Sequence, residues 1–224
     1  MAAAANKPIL VIGNKNYSSW SLRPWMALTM AGIPFEERLV RFGEPRFSRE
    51  VRKISGAGLV PVLVHKGQTI WDSLAIIEYA AETWPKAPVW PKTAAARAIA
   101  RSASAEIHSG FGGLRNDCPM NLRRPKVALK AGFSNAVLAD VKRLELLWSQ
   151  CRKAHGKSGP FLFGKFSAAD AMYAPVVTRL DSYAIPVKKE TRAYMDAVMN
   201  TSGFKAWLAA ALQEPWVVPV DEAE

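Results

Sequence analysis

The chain has 224 residues, half of them hydrophobic and eight of them Trp, so it can bury a sizeable core and is not expected to be disordered. No stretch is long and apolar enough to span a bilayer, and the first seven residues are too short for the apolar region of a signal peptide. The formal net charge of +11 raises nucleic acid as a partner, but because Lys and Arg are scattered, we expect a cytoplasmic protein without nucleic-acid or membrane partners.

The first eighty or so residues begin with a strand and a helix. The apolar run Ile9–Ile12 predicts a buried strand that ends at a glycine. Ser21 can cap a helix that begins near Leu22, because its hydroxyl can accept a hydrogen bond from a free amide of the first turn. Pro24 is tolerated in that first turn, and Gly32 predicts the end of the helix.

Further strands and a second helix follow. Residues 35–40 predict a strand, and the stretch after them has no clear pattern. Residues 62–64 and 69–71 predict a hairpin around the turn Lys66-Gly67. Residues 73–82 predict a helix.

Beyond residue 84 the pattern changes. Three prolines, Pro85, Pro88 and Pro91, interrupt helical structure and predict a linker. The following residues 94–107 predict a helix. Two more helices are predicted by apolar residues on one face. The first comprises Val137, Leu138, Val141, Leu144, Leu147, Trp148 and Cys151, and the second Phe204, Trp207, Leu208, Ala211 and Leu212. The sequence therefore predicts a small α/β domain joined by a linker to a helical bundle.

The segment from Tyr17 to Arg23 lies at the connection between the first predicted strand and the first predicted helix. A hydroxyl there sits among unpaired amide groups at the positive end of the helix dipole, so the site can hold a thiolate. The alternative is that the serines only cap the helix. The residues leave open which of Ser18, Ser19 and Ser21 contacts the thiol.

Two further features point to a bound peptide. Val60-Pro61 enters a strand and is predicted to be a cis peptide, which leaves the backbone of Val60 free to pair with an extended ligand. An ordinary trans proline at a strand start is the alternative. Asp72 and Ser73 stand at the start of a helix and can serve simply as its caps. The alternative is that Asp72 pairs with the ammonium group of a ligand while the Ser73 hydroxyl and the amides of the first turn hold its carboxylate.

The segment Ser167-Ala168-Ala169-Asp170 predicts a capping box at the start of an apolar helix, with a structural role alone.

The densest basic patch comprises Arg115, Arg123, Arg124, Lys126 and Lys130. Such runs are usually solvated, so a solvated loop is the first interpretation. The alternative is an electropositive rim that attracts anionic substrates.

The cysteines and histidines predict no metal site. Cys118 and Cys151 have neither metal-ligand nor CxxC spacing, and Cys151 is expected to be a buried structural thiol. The histidines His65, His108 and His155 are too widely spread for a sequence-evident metal site. We expect His108 at the surface or in the core, although it could face the cleft between the domains.

The combination of these features resembles the glutathione transferase family. The matching residues are Ser-Ser-x-Ser-x-Arg at 18–23, Val-Pro at 60–61 and Asp-Ser-Leu-Ala-Ile-Ile-Glu-Tyr at 72–79. They are most similar to the zeta class, whose motif reads Ser-Ser-Cys-Ser-Trp-Arg. The resemblance covers the whole chain in order and is strongest over residues 9–85. It implies an α/β thioredoxin-like N-terminal domain (1–84), a linker (85–92) and an all-α helical-bundle C-terminal domain (93–224).

The resemblance also implies roles for individual residues. Ser18 would activate the glutathione thiol, Ser19 would shape the same site, and Val60 would pair with the cysteinyl backbone. The ends of glutathione would be held by Asp72 and Ser73 at the γ-glutamyl group and by Arg46 at the terminal carboxylate. The electrophile would lie between Trp20 and two residues of the helical domain, Arg115 and Met120.

The implied function is conjugation of glutathione, the co-substrate, to a partly apolar electrophile by a homodimer without a metal. Trp20 and Leu22 replace the Cys and Trp of the zeta motif, so maleylacetoacetate isomerisation is in doubt. The lack of a cysteine in the motif argues against the thiol-transferase classes. The alternatives are an isomerase or dehalogenase of zeta type, and a non-catalytic interaction protein on the same fold.

Overall fold

A computed structural model of the chain describes residues 7–44 and 46–223. Its sheet has four strands: β1 (Ile9–Ile12), β2 (Glu36–Leu39), β3 (Val62–His65) and β4 (Gln68–Trp71). They lie in the order β2-β1-β3-β4, with β1 parallel to β2 and antiparallel to β3. The predicted β3–β4 hairpin is present, and both turn residues, Lys66 and Gly67, have the positive φ angles that a tight hairpin turn requires.

Helices make up most of the remaining structure. Three of them accompany the sheet, namely α1 (Ser19–Met30), α2 (Phe47–Ile54) and α3 (Ser73–Thr83). The others follow the proline-rich linker: α4 (Ala94–Ser109), α5 (Gly112–Asp117), α6 (Asn135–His155), α7 (Ala168–Ser182), α8 (Lys189–Met199) and α9 (Ser202–Leu212). No helix in residues 7–44 and 46–223 is long and apolar enough to cross a membrane.

The sheet separates two apolar layers because alternate residues of a strand point to opposite faces. Leu10 and Ile12 of β1 face the main core, which also contains α1, α3 and the helices beyond the linker. Val11 faces a small second cluster, in which Val51 of α2 covers the sheet. The α1 helix therefore packs between the sheet and the helical half, and its N-terminus lies at the boundary of the two.

The α7 helix forms the centre of the helical half and is buried along nearly its whole length. Its start has the predicted capping box, in which Ser167 and Asp170 satisfy each other's backbone amides. Burial raises the pKa of Asp170 to about 6, although hydrogen bonds from Leu162, Ser167 and Tyr194 act in the opposite direction. Because α7 packs against α1 and α4, this cap fixes the helix that supports the junction.

The structure corrects several predicted elements. The α1 helix begins at Ser19 with Ser18 as its N-cap, so Ser21 is not the cap and Pro24 lies beyond the first turn. The helix ends before Gly32, as predicted. The stretch without a clear pattern contains α2, in which Phe47, Val51 and Ile54 recur at the helical spacing i, i+4 and i+7 and face the second cluster. Leu138 is exposed rather than on the buried face of α6.

Candidate functional site

The loop between β1 and α1 places Ser18 at the helix N-terminus. The Ser18 hydroxyl donates to the Ser21 hydroxyl over 2.7 Å and accepts a long bond of 3.4 Å from the Ser21 amide. Both Ser18 and Ser19 line a pocket of ≈ 290 Å³. Because a helix N-terminus favours negative charge, an anionic sulfur in this pocket would be stabilised by the helix as well as by a hydroxyl.

Ser21 has an internal position. Its side chain is fully buried, and its hydroxyl oxygen also accepts a hydrogen bond from the Gly13 amide over 3.1 Å. The side chain therefore ties the end of β1 to α1. Ser18 and Ser19 line the pocket, whereas Ser21 lies in the interior and binds the Ser18 hydroxyl.

Tyr17 precedes Ser18 and lines the same pocket, but its hydroxyl is already engaged. It donates to Glu222 and accepts a hydrogen bond of 3.0 Å from Arg123. Burial and the Glu222 carboxylate raise the pKa of Tyr17. The phenol is therefore a poor source of hydrogen bonds for a bound anion, which leaves that role to the serine hydroxyls.

Val60 lies opposite Ser18 in the pocket, and the Val60-Pro61 peptide bond is cis, as predicted. Val60, Leu59 and Trp20 also line a second pocket of ≈ 240 Å³. Because the two pockets share these three residues, they adjoin each other, and we call them together the cleft. We call the first the serine pocket and the second the aspartate pocket.

Asp72 and Ser73 lie in the aspartate pocket at the start of α3. Asp72 is the helix N-cap, because its Oδ1 accepts from the Leu74 amide at 2.8 Å and the Ala75 amide at 3.4 Å. Its Oδ2 lies 3.3 Å from Nε2 of His108. The Ser73 hydroxyl is buried, and no partner for it is found among the described residues. A buried hydroxyl without a partner beside a pocket is suited to a ligand that supplies one.

Three arginines lie over the Trp20 ring or in the serine pocket. The guanidinium of Arg23 lies 4.1 Å, and that of Arg115 4.8 Å, from the centre of the Trp20 ring. Arg179 lines the pocket from α7 and donates to the Cys118 carbonyl over 2.9 Å. Sequence reasoning gave Arg23 no role of its own, although Arg23 ends the motif at 18–23. It missed Arg179 as a pocket residue, since a single arginine within an apolar helix carries no motif.

These arginines make the pocket electropositive. Burial, together with the positive charge of neighbouring arginines, lowers the pKa of Arg23 to about 9 and that of Arg179 to about 10. Both values are above neutral pH, so the guanidinium groups remain charged. Among the described residues, Nε and Nη1 of the buried Arg23 have no hydrogen-bond partner. An anion in this region would offset part of that repulsion and desolvation.

The remaining predicted residues are divided between the cleft and its exterior. Met120 is buried and lines the serine pocket, as does Arg115. Arg46 is the N-cap residue of α2, is exposed, and is not among the described residues that line either pocket. Its role at the glycyl end of glutathione stays a prediction.

The residues of the basic patch lie in different environments. Arg115 belongs to the serine pocket, which favours the electropositive-rim interpretation for that residue. Arg124 instead donates to backbone carbonyls, including that of Ser182 at 2.9 Å. Lys126 forms an ion pair of 2.6 Å with Asp181. The expectation of a solvated loop is therefore wrong for the arginines and holds for the largely exposed side chain of Lys126.

Two family descriptions match most of the chain. "Glutathione S-transferase, N-terminal domain" matches residues 17–83, and "Glutathione S-transferase, C-terminal domain" matches residues 128–210. A probable maleylacetoacetate isomerase from Caenorhabditis elegans is 32% identical over 177 residues, which cover 76% of this chain and 78% of that relative. The chain belongs to the glutathione S-transferase family.

Other relatives carry zeta-class names. Rat maleylacetoacetate isomerase is 37% identical over 115 residues, covering 50% of this chain and 52% of the relative. A zeta-class glutathione S-transferase from Euphorbia esula is 34% identical over 125 residues, covering 55% of each chain. The matches span about half the length of these two relatives. They confirm the predicted resemblance to the zeta class.

Solved glutathione transferases share the fold. A homologue from Burkholderia with bound glutathione has a TM-score of 0.71 at 21% identity, covering 93% of this chain and 100% of that chain. A diazinon-metabolising glutathione S-transferase of the silkworm has a TM-score of 0.72 at 15% identity, covering 96% and 100%. They confirm the thioredoxin-like N-terminal half and the helical C-terminal half. The domain limits at residues 84 and 93 stay a prediction.

Trp20 stands where the zeta-class motif has a cysteine, and no other described thiol replaces it. Neither pocket is lined by a cysteine among residues 7–44 and 46–223. Cys118 and Cys151 are both buried, and burial raises the pKa of each to about 11. A buried thiol with a raised pKa is a poor nucleophile, so this transferase has no cysteine suited to act in the cleft.

A C-terminal strap, residues 213–223, closes one side of the serine pocket. Arg123 fastens the strap by donating to the carbonyls of Glu214 and Trp216. The Glu214 carboxylate accepts from the Lys15 amide at 2.7 Å. Asp221 lines the pocket itself. No local pattern predicts this segment, because Arg123 and Lys15, which hold Glu214, lie 91 and 199 positions away along the chain.

Proposed function

We propose that the protein is a glutathione transferase in which the Ser18 hydroxyl stabilises the thiolate of bound glutathione. The observation that carries the proposal is the pair of adjoining pockets, in which Ser18 and Val60 line one pocket while Val60, Asp72 and Ser73 line the other. The candidate residues for the γ-glutamyl end of the peptide, for its cysteinyl backbone and for its sulfur thus lie in neighbouring pockets.

Glutathione would lie along the cleft with its γ-glutamyl group in the aspartate pocket. The ammonium would pair with Asp72 Oδ2. The α-carboxylate would accept a hydrogen bond from the Ser73 hydroxyl, for which residues 7–44 and 46–223 provide no partner. The cysteinyl backbone would pair with that of Val60, which brings the sulfur to Ser18 and Ser19. The homologue from Burkholderia, whose structure contains glutathione, supports this choice of peptide.

The chemical step is nucleophilic attack by the bound thiolate. A free thiol is mostly protonated at neutral pH, so the site must favour the anion. The Ser18 hydroxyl would turn from Ser21 to the sulfur, and the positive end of α1 would add to the stabilisation. The sulfur then bonds to the electrophilic carbon, which releases a leaving group. When the thiolate adds to a double bond, nothing leaves, and the neighbouring carbon of the former double bond takes up a proton.

The electrophile would occupy the serine pocket beside Trp20, Arg115 and Met120. The indole ring and Met120 provide apolar contacts, whereas Arg115 and Arg179 provide positive charge. This combination favours a partly apolar electrophile that carries a carboxylate or another anionic group. A neutral electrophile would leave the charge of the buried arginines without compensation.

A second candidate is glutathione-dependent isomerisation of an unsaturated acid. It is favoured by the arginine-lined pocket and by the relatives named maleylacetoacetate isomerase. The thiolate would add to a double bond, allow rotation about the resulting single bond and then leave. Trp20 in place of the zeta-class cysteine counts against efficient catalysis of this step.

The protein would act as a homodimer, as the family resemblance implies. Exposed apolar side chains on β4 and α4 support this proposal, since Trp71 is 55% and Ile99 is 45% exposed. Light scattering coupled to size-exclusion chromatography tests it. A monomeric mass at micromolar concentration would contradict a stable dimer.

Calorimetric titration with glutathione, followed by a panel of electrophiles, tests the function as a whole. We expect saturable binding of glutathione and enzyme-dependent conjugation of at least one anionic electrophile, such as an α-halo acid. Binding of neither glutathione nor its S-alkyl derivatives would contradict the proposal and favour a non-catalytic interaction protein. Rapid isomerisation of an unsaturated acid without conjugation would favour the second candidate.

A further inference from the structure

The last turn of α4 reaches from the helical half into the cleft through His108. Its Nε2 lies 3.3 Å from Oδ2 of Asp72, and its ring meets the Trp20 ring edge-on with 5.2 Å between centroids. His108 therefore contacts Asp72 of the aspartate pocket and Trp20, which lines both pockets. This agrees with the alternative in which His108 faces the cleft, not with the expected position at the surface or in the core.

The backbone of His108 adds a third connection. Its carbonyl accepts a hydrogen bond of 3.3 Å from Nη1 of Arg115, and the same guanidinium stacks near Trp20. His108 thus contacts Asp72 of the aspartate pocket through its side chain and Arg115 of the serine pocket through its backbone carbonyl. A shift of the α4 terminus would displace both.

The contact with Asp72 determines which carboxylate oxygen is offered to a ligand. Oδ1 is committed to the amides of Leu74 and Ala75, so only Oδ2 can also accept from an ammonium. Nδ1 of His108 is buried, and no partner for it exists among the described residues. Nε2 is therefore the ring nitrogen that faces the carboxylate, and its contact with Oδ2 at 3.3 Å fixes the position of that oxygen beside the aspartate pocket.

We propose that His108 is a positioning residue for recognition of the γ-amino group of glutathione. It orients Asp72 Oδ2 so that a ligand ammonium completes the coordination of that oxygen. This inference rests on the proposed function, because it assigns the ammonium to a glutathione bound in the cleft. His108 does not contact the reacting sulfur, so its effect is on binding rather than on the chemical step.

Calorimetry with two ligands tests this role in full-length His108→Leu and His108→Gln variants. The ligands are S-methylglutathione and the same compound without its α-amino group. We expect His108→Leu to bind S-methylglutathione about fivefold more weakly, a loss typical of one partly exposed polar contact. His108→Gln, whose amide can donate to Asp72, should recover most of the affinity.

The ligand without the amino group separates positioning from general structural support. The wild type and His108→Leu should bind this ligand equally, because the ligand has no ammonium for Asp72 to bind. The matched control is His155→Leu, since the ring of His155 stacks on Phe163 at the far end of α6. It should bind both ligands like the wild type.

Two results would overturn the inference. Equal affinity of the wild type and His108→Leu for S-methylglutathione would refute it while leaving the proposed function intact. An equal loss for both ligands would show that His108 only supports the fold of the cleft. If the wild type itself bound neither S-methylglutathione nor glutathione, the proposed function would fail and this inference with it.

Discussion

Arg123 donates a hydrogen bond of 3.0 Å to the hydroxyl of Tyr17, the residue before the candidate catalytic serine. The same guanidinium holds two carbonyls of the C-terminal strap. Arg123 therefore connects the strap to the loop that carries Ser18. One side chain thus links the order of the loop to the closure of the pocket.

Replacement of Arg123 by Met should release the strap. The loss of these bonds is expected to lower the free energy of unfolding by roughly 1–3 kcal/mol. Limited proteolysis should then cleave within residues 213–223 faster than in the wild type. The matched control is Arg152→Met, because Arg152 also donates to a carbonyl, that of Glu190, but at an exposed position. Equal cleavage of all three proteins would contradict the fastening role.

Asp72→Asn should weaken glutathione binding without much change in the chemical step. The amide oxygen can keep the cap of α3, whereas the negative charge that pairs with the ammonium is lost. We expect the KM for glutathione to rise about fivefold, with kcat nearly unchanged, because the contribution is similar in the ground and transition states.

Asp72→Ala is the informative comparison. It removes both the charge and the cap, so the same rise in KM should be joined by a loss of stability of about 1 kcal/mol. Steady-state kinetics and thermal unfolding together separate the two roles. A fall in kcat with unchanged affinity in Asp72→Asn would argue against this assignment.

Arg115→Met should reduce activity toward anionic electrophiles selectively. The test compares an electrophilic acid with its methyl ester. For the acid we expect kcat/KM to fall about tenfold, the effect of losing one charge-assisted hydrogen bond. The ester should be affected little. Arg143→Met is the matched control, because Arg143 pairs with Glu106 on an exposed helix surface. A similar loss for the acid and the ester would contradict anion recognition by Arg115.

Isomerisation of maleylacetoacetate should be absent or feeble. Trp20 supplies no thiol at the position of the zeta-class cysteine. Its large side chain lines both pockets and leaves less space there for a substrate than a cysteine would. The buried Cys118 and Cys151 are not substitutes. Purified protein should therefore show little glutathione-dependent conversion. Efficient turnover of maleylacetoacetate by the wild type would refute this prediction.

The local motifs predicted much of the fold and part of the site. The β1 strand, the β3–β4 hairpin and the starts of α3 and α7 follow from short-range patterns of apolar residues, turns and caps. Short-range signals also led to Val60, Asp72 and Ser73. The start of α1 was misplaced because three serines within four residues could each serve as the cap, and only the fold shows that Ser21 is turned inward.

The rest of the site depends on tertiary contacts. Arg23 and Arg179 come from helices of different halves and meet only because α1 packs on α7. His108 reaches Asp72 across 36 positions of sequence, and the strap reaches Tyr17 from the far end of the chain. No periodicity or motif encodes such pairings, so they could not be predicted from one sequence.

The central claim is that Ser18 lowers the pKa of the thiol of bound glutathione. If its hydroxyl donates a charge-assisted hydrogen bond to the thiolate, the bond contributes roughly 1.5–3 kcal/mol. One pKa unit corresponds to about 1.4 kcal/mol, so Ser18→Ala should raise the pKa of the bound thiol by roughly one to two units. Thiolate is then lost near neutral pH and recovered as the pH rises. Ser19→Ala is the matched control in the same pocket.

Ultraviolet titration of the thiolate in the enzyme–glutathione complex measures this pKa directly. The account predicts a titration curve displaced to higher pH in Ser18→Ala, with glutathione still bound and the conjugation rate recovering in parallel. Ser19→Ala should titrate close to the wild type. An unchanged curve in Ser18→Ala would contradict the claim and assign the thiolate to the amides of α1 or to Ser19.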